Sequence, residues 1–156
     1  SAKIKIPFYP VPMTMQTFVV LFLGVFLGSK LGALSVIVYL FEGILGLPVF
    51  SNSPEKGVGI VYFTGPTMGY LIGFILASFF AGYINLKSNF AIVFIKLILT
   101  VSIIYILGVL WLGLLIGWEK PIFNLGVKPF LLAELLKILL LTVISKYFYY
   151  IKKLSR

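Results

Sequence analysis

The stretch FAIVFIKLILTVSIIYILGVLWLGLLIG, residues 90–117, is the longest apolar run of the sequence and decides the fold. An α-helix needs roughly 20 apolar residues to cross the ~30 Å hydrocarbon core of a bilayer, and this run exceeds that length. Its one charged residue, Lys96, lies near the start, where a long side chain can reach the membrane surface. The run therefore predicts a membrane-spanning helix.

The composition of the whole chain agrees with a membrane protein and excludes several other classes. Of the 156 residues, 61% are hydrophobic and 11% are charged, whereas soluble domains carry about 25% charged residues. The sequence contains no Cys, His or Asp, so disulfides, a histidine base and a conventional metal site are excluded. The net charge of +9 comes mostly from lysines scattered between apolar runs, which is not the clustered pattern of a nucleic-acid-binding surface.

Four further apolar runs accompany the first. They cover residues 15–27, 31–47, 66–84 and 130–150. Each break between runs carries Gly, Pro, Asn or Lys, which are typical of helix ends and turns. The sequence therefore predicts one all-α, polytopic membrane domain over residues 1–156, with five crossings.

Five crossings place the two chain ends on opposite faces of the membrane. One face receives residues 1–14 and the loops after Leu47 and Gly117, with five basic and two acidic residues. The other face has six basic residues and no acidic one. Because cytoplasmic loops are enriched in Lys and Arg, this second face is predicted to be the inner one.

Small residues recur every four positions in the third run. They are Gly65, Gly69, Gly73, Ala77 and Ala81. On a helix these positions form one slowly winding groove where another helix can come close. Two interpretations are open, namely packing within the chain and a docking face for a partner.

Catalytic motifs are missing, so the chain is not predicted to be an enzyme. The Gly-rich phosphate-binding loop that ends in Gly-Lys-Ser/Thr is absent, and the four glutamates are not paired for acid–base or metal chemistry. Aromatic residues on the predicted outer face suit either an interfacial belt or a lid that stacks on a flat ligand. These are Tyr9, Phe50, Tyr62, Phe63 and Trp118.

The candidate site is the pair Glu134 and Lys137 in the last run. Residues three apart share a helix face, and Glu on the N-terminal side of Lys is the favourable order. A charge at the centre of a membrane helix costs about 2.5–3.5 kcal/mol and marks a functional candidate. Two interpretations remain: a structural ion pair that neutralises itself, or a polar patch that faces a cavity for a solute.

Several motifs in order along the chain resemble a known family. PFYPVPMTMQT at residues 7–17 resembles the PxPxTxQT element of the BioY family, the biotin-capturing S-components of energy-coupling-factor (ECF) transporters. Further matches follow in the family's order, and the resemblance covers nearly the whole chain. They are KLGALS at 30–35, YLFEG at 39–43, GLPVF at 46–50, GPTMGYLIGF at 65–74, GVLWL at 108–112, and the run from KPF at 128–130 to ELLK at 134–137.

This resemblance implies a six-helix S-component fold in which the five runs are helices two to six. Residues 1–6 would be the tail of helix one, most of which is absent from this chain. Biotin is expected near the outer face, under loops that include residues 7–16, 50–64 and 118–128. Glu134 matches an acidic residue, usually Asp, that accepts a ureido N–H, and Lys137 is expected to pair with the biotin carboxylate. The further binding candidates are Gln16, Asn52 and Tyr70.

The function implied by the resemblance is capture of biotin from the outside, with no catalysis and no cofactor, followed by import. The implied partners are a transmembrane coupling subunit and two ATPases, and the implied location is the bacterial plasma membrane with multiple crossings. Two alternatives are an S-component for another small vitamin and a non-transport membrane scaffold that uses the small-residue groove.

Overall fold

The structure is a computed structural model that describes residues 1–6, 9–51, 53 and 57–154. It is 73% helical, as the all-α prediction requires. The α-helices of the described part are α1 Gln16–Leu27, α2 Ser29–Ile44, α3 Met68–Ala81, α4 Phe90–Ile116, α5 Ile122–Gly126 and α6 Leu131–Leu154. Two short strands, β1 Lys5–Ile6 and β2 Met13–Thr14, and two 3₁₀ turns, Gly59–Thr64 and Lys128–Phe130, complete the elements.

Each of the five predicted runs contains one long helix, but the ends differ. α2 stops at Ile44 rather than at 47, because Gly46 adopts a left-handed φ of 97° that ends the helical path. α3 covers 68–81 rather than 66–84, since residues 82–84 bond back as turns. α6 continues to Leu154, past the predicted end at 150. α4 begins as predicted, where the Asn89 side chain accepts a hydrogen bond from the Ile92 N–H at 2.8 Å.

Residues 1–6, which the resemblance assigns to the tail of helix one, are not helical, because Lys5 and Ile6 pair with Met13 and Thr14 as a strand. Three short elements therefore lie outside the predicted helices. β1 and β2 pair antiparallel just before α1, and α5 lies between α4 and α6. All three are too short to give a hydropathy signal. They form part of the end of the bundle where residues 1–14 and the later loops meet.

α3 lies at the centre of the bundle and contacts α1, α2 and α4. The approach is close because the facing residues lack bulky side chains. A Cβ atom placed on Gly73 would lie 2.7 Å from the Ile104 Cα in α4, and one on Gly24 would lie 2.2 Å from the Ser78 carbonyl oxygen. Glycine at these positions therefore sets the distances between helices.

The small-residue stripe is used inside the chain. Gly69 and Gly73 face the α4 backbone, and Ala77 and Ala81 are fully buried. Gly65 is half-buried, and its carbonyl accepts a hydrogen bond from the Trp111 Nε1 at 2.9 Å. These contacts support the packing interpretation for Gly69, Gly73, Ala77 and Ala81.

The helices meet in two groups of loops, as expected for alternating crossings. At one end the turn between α1 and α2 touches the segment after α3, since a Cβ on Gly82 would lie 2.0 Å from the Ser29 nitrogen. At the same end, Lys146 of α6 donates hydrogen bonds to the carbonyls of Leu86 at 3.0 Å and Ser88 at 2.6 Å. This is the end that the lysine distribution predicts to be the inner one.

The outer surface of the bundle is apolar. Large side chains such as Leu99, Leu114 and Leu132 are 63%, 74% and 72% exposed, which is typical of a surface that contacts lipid. Among the described helices, α4 alone has both the length and the hydropathy needed to cross a bilayer. Helices α1 and α3 are apolar but shorter.

Replacing Gly73 by Val tests the close packing of α3 on α4. The added side chain has to displace the α4 backbone at Ile104, so the variant is expected to lose about 1–3 kcal/mol of stability. Thermal unfolding in detergent would measure the loss, with Ile72→Val on the exposed side of the same turn as the control. Equal midpoints for the two variants would contradict this packing.

Candidate functional site

Glu134 and Lys137 lie side by side in the first turns of α6. Their relative exposures are 6% and 8%, so both charged side chains are buried. The Lys137 Nζ and the Glu134 Oε1 are 2.5 Å apart. The pair thus forms on one helix face, as the spacing predicts, and points into the bundle and not toward its apolar surface.

Strand β2 and helix α1 complete the surroundings of this ion pair. Besides Glu134, the Lys137 ammonium donates to the Thr14 carbonyl at 2.8 Å and to the Thr17 Oγ1 at 2.9 Å. These three acceptors match the three N–H donors of an ammonium group. The Thr17 hydroxyl in turn donates to the Glu134 Oε1 at 2.9 Å. The interaction therefore joins the start of α1 to the start of α6.

One oxygen of the Glu134 carboxylate takes no part in these hydrogen bonds. Its Oε2 is buried and has no hydrogen-bond partner among the residues that the structure describes. Buried polar atoms are nearly always hydrogen-bonded, and leaving one unpaired costs about 1–3 kcal/mol, or more when it is charged. An acceptor held in this state is suited to a hydrogen-bond donor that arrives from outside.

Glu134 lines a small cavity of about 40 Å³ at this end of the bundle. Polar groups and aromatic rings share its walls, which come from the segment before α1, the residues near 51 and 62, and helices α1, α3, α4 and α6. The polar side chains include Thr14, Gln16, Thr17, Ser51 and Thr67, and the rings include Tyr62, Tyr70 and Tyr105. Typical small-molecule sites measure ~300–1,000 Å³, so a ligand can enter this cavity only if the walls move apart.

Gln16 reaches the cavity, as predicted, but its amide is already engaged. The Gln16 Nε2 donates to the Tyr39 hydroxyl at 2.8 Å, and Tyr39 donates to the Val49 carbonyl at 3.3 Å. This chain of bonds runs from α1 through α2 to the loop after it. Gln16 therefore connects the cavity wall to the loop that covers it.

Tyr70 also lines the cavity, and its hydroxyl is not directed at a ligand. It donates to the Gly126 carbonyl at 2.9 Å, which fastens α3 to α5. The ring has room because Gly108 lacks a side chain, since a Cβ there would lie 2.3 Å from the Tyr70 ring. Tyr70 thus offers a ligand its ring face, while its hydroxyl positions the wall.

Phe50 and Tyr62 cover the cavity from the loop side. Phe50 is 1% exposed and stacks on Tyr62 with ring centroids 4.5 Å apart, and the Ser51 Oγ lies 3.2 Å from the Tyr62 hydroxyl. The ring of Phe50 rests against Gly43, where a Cβ would lie 2.0 Å from it. Of the aromatic residues proposed for a belt or lid, these two are buried, whereas Tyr9 and Trp118 are exposed.

The sequence-based site is therefore partly assembled here. Glu134, Gln16 and Tyr70 line one cavity, and Lys137 is bonded to Glu134 behind that lining. Asn52 lies outside the described residues. Thr17 and Tyr105 are site residues that the sequence analysis did not single out. Thr17 follows Gln16 in the same motif, so the motif marked its position, but nothing in the helical pattern of α4 distinguishes Tyr105.

The sequence model of the BioY family matches residues 1–153. The probable biotin transporter BioY of Pyrococcus horikoshii is 37% identical over 146 residues, which are 94% of this chain and 85% of the relative. The biotin transporter BioY of Thermotoga maritima is 39% identical over 146 residues, covering 93% and 85%.

One solved structure also matches, described as the crystal structure at 2.1 Å of the S-component for biotin from an ECF-type ABC transporter. It superposes with a TM-score of 0.77 at 27% identity, and the match covers 95% of this chain and 80% of that one. The likeness therefore extends over nearly the whole bundle.

Replacing Thr17 by Val tests the bonds that surround the ion pair. The change leaves one Lys137 N–H without its acceptor and removes a donor to Glu134, so we expect a loss of about 1–3 kcal/mol in stability. Thr17→Ser keeps the hydroxyl and should lose much less, as measured by thermal unfolding in detergent. Thr142→Val is the matched control, because that buried hydroxyl bonds only within its own helix, to the Ile138 carbonyl. A Thr17→Val variant as stable as Thr142→Val would show that the network contributes nothing.

Proposed function

The chain belongs to the BioY family, and from this membership we propose that it captures biotin as the substrate-binding S-component of an ECF-type transporter. As a member of a transporter family it is a membrane protein. The proposal assigns it no catalytic step and no cofactor.

The observation that carries the proposal is the buried Glu134 carboxylate with one unpartnered oxygen next to the Lys137 ammonium. The ureido group of biotin presents an N–H donor and a carbonyl acceptor on neighbouring atoms. An unpartnered carboxylate oxygen accepts the N–H, and the Lys137 ammonium donates to the carbonyl once the ligand displaces one of its three present acceptors. The pair is therefore complementary to one end of the vitamin.

The same geometry changes the role expected for Lys137. The biotin carboxylate lies at the far end of the valerate chain, whereas the charged atoms of Glu134 and Lys137 are only 2.5 Å apart. A ligand whose ureido group meets Glu134 thus brings its ureido carbonyl, and not its carboxylate, to Lys137. We propose that both residues bind the ureido ring and that the valerate chain points toward the covering loop.

Entry of biotin requires opening of this end of the bundle, because about 40 Å³ is too small for the vitamin. Phe50 and Tyr62 form the cover on one side. On the other side, Lys3 Nζ donates to the Ser53 carbonyl and so ties the N-terminal segment to the same loop. Separation of the N-terminal segment from the loop that carries Phe50 and Tyr62 would expose Glu134. Their return to contact would enclose the ligand.

Import would follow in a complex with a transmembrane coupling subunit and two ATPases in the plasma membrane, which the chain would cross several times. In that complex the loaded protein would reorient and expose biotin to the cytosol. The site geometry gives little support to the alternative of another vitamin, since Glu134 and Lys137 do not bond to each other alone.

Biotin binding by the purified protein is the direct test, with Glu134→Gln and Lys137→Met as site variants. Each removes a charge from the proposed ureido contact, so affinity should fall roughly 10- to 100-fold, the equivalent of one charged hydrogen bond. Glu42→Gln and Lys96→Met are matched controls because both residues are exposed. Absence of biotin binding by folded wild-type protein would reject the proposal, and affinity for a different vitamin would favour the alternative.

The orientation of biotin can be tested with two analogues. Biotin amide keeps the ureido ring and lacks the carboxylate charge, whereas 2-iminobiotin replaces the ureido oxygen with an imino nitrogen. If Lys137 meets the ureido carbonyl, iminobiotin should bind at least ~10-fold more weakly than biotin. The amide should lose about fivefold or less, as for a solvent-accessible charge. A larger loss of affinity for the amide would instead support the pairing of Lys137 with the biotin carboxylate that the family resemblance implies.

A further inference from the structure

A second cavity lies between α4 and α6, on the side of Glu134 away from α1. Its volume is about 350 Å³. One face of α4, from Ile98 to Val109, forms one wall, and Leu131, Leu135 and Ile138 of α6 form the other. Phe123 of α5 and Val127 close the end of the groove nearest the loops. We call this space the α4–α6 groove.

The α4–α6 groove is lined by hydrocarbon almost throughout. Its one serine, Ser102, uses its hydroxyl within α4, donating to the Ile98 carbonyl at 2.9 Å. An ordered water needs two to four polar partners, and this lining offers too few polar groups to hold a row of ordered waters. An empty space of this size would leave its walls without dispersion contacts. The groove therefore suits an apolar occupant.

The groove opens to the surface that contacts lipid. Its rim residues Ile106, Leu131 and Leu135 are 59%, 47% and 46% exposed, and they continue into the exposed leucines of α4 and α6. From Ile98 to Val109 the helix rises about 16 Å at 1.5 Å per residue. That length is close to half of the ~30 Å hydrocarbon core, which is the reach of one acyl chain.

Glu134 and Tyr105 separate the groove from the central cavity, because both residues line both spaces. The Tyr105 ring is held from the cavity side by Tyr70 and Phe130, with centroid distances of 5.9 and 6.2 Å. On the groove side no described residue of the chain fills the space next to it. Whatever occupies the groove therefore forms the back of the wall that carries Glu134.

We infer that one acyl chain of a phospholipid in the leaflet nearest α5 occupies the α4–α6 groove and forms the rear wall of the ligand site. By filling the space behind Glu134 and Tyr105, the chain keeps water from the carboxylate and holds the phenol ring toward the cavity. A dry carboxylate interacts more strongly with a ligand donor, since the local dielectric is lower. The inference that a lipid occupies the groove rests on the membrane location alone. Its effect on biotin binding rests on the proposed function.

Native mass spectrometry can count the phospholipids retained after mild-detergent extraction from vesicles of palmitoyl-oleoyl phosphatidylglycerol. We expect one retained lipid per wild-type chain and loss of most of it in Ser102→Leu/Val109→Phe, which fills the groove. The single change Ser102→Leu is a milder filler in case the double variant does not fold. Leu99→Phe and Leu114→Phe, on exposed positions of α4 outside the groove, should retain the lipid. No retained lipid in wild type, or equal retention in the filled variants, would overturn the inference.

A second measurement separates this inference from the proposed function. Removal of lipid from wild-type protein should weaken biotin binding at least ~3-fold, and phosphatidylglycerol should restore it, while the filled variant should be insensitive. If retention follows the groove variants but affinity does not depend on lipid, the rear-wall role is wrong. If biotin binds under no condition, the proposed function fails while the lipid count still decides the occupant.

Discussion

The structure depends on a buried ammonium that needs three acceptors at once. A charge in a low-dielectric interior is tolerated only when it is paired and hydrogen-bonded. Lys137 meets this requirement with Glu134 on its own helix, the Thr14 carbonyl of β2 and the Thr17 hydroxyl of α1. Because the latter two acceptors lie in β2 and at the start of α1, this segment and the start of α6 cannot separate without exposing an unpaired charge. The same bonds leave the second oxygen of Glu134 unused, so the interaction that holds the helices together also creates the binding feature.

Packing of α3 makes this arrangement possible. Glycines let α3 approach both α1 and α4 closely, as the contacts at Gly24 and Gly73 show. The walls of the cavity are consequently drawn from four helices within a short distance of one another. Gly108 and Gly43 likewise leave room for a neighbouring side chain. Gly108 faces the ring of Tyr70 and Gly43 faces the ring of Phe50, and both rings pack at the cavity. Small residues thus act here inside the chain, where they decide how near aromatic side chains come to the buried charges.

Much of the fold could be predicted from the sequence, because hydropathy and helix-ending residues are local signals. Five long helices lie where the apolar runs predict them, and the i, i+3 spacing correctly places Glu134 and Lys137 on one face. Contacts over long sequence distances could not be predicted in the same way. Thr17 bonds to Glu134 across 117 positions, and no periodicity connects them. The choice between packing and docking for the small-residue stripe likewise needed the position of α4, which the sequence of α3 does not contain.

The small cavity and the unpartnered carboxylate oxygen are two aspects of one energetic arrangement. A site held open to water would solvate Glu134 fully, and a ligand would then have to replace those water bonds for little net gain. In this structure the buried Oε2 has lost its water and has not gained a partner among the described residues, so a ureido N–H that enters supplies the missing bond. The unfavourable free energy of that unpaired oxygen is thus relieved on binding. Part of the affinity for the ligand is, on this reasoning, already stored in the empty protein by the way Thr17 and Lys137 occupy only one of the two carboxylate oxygens.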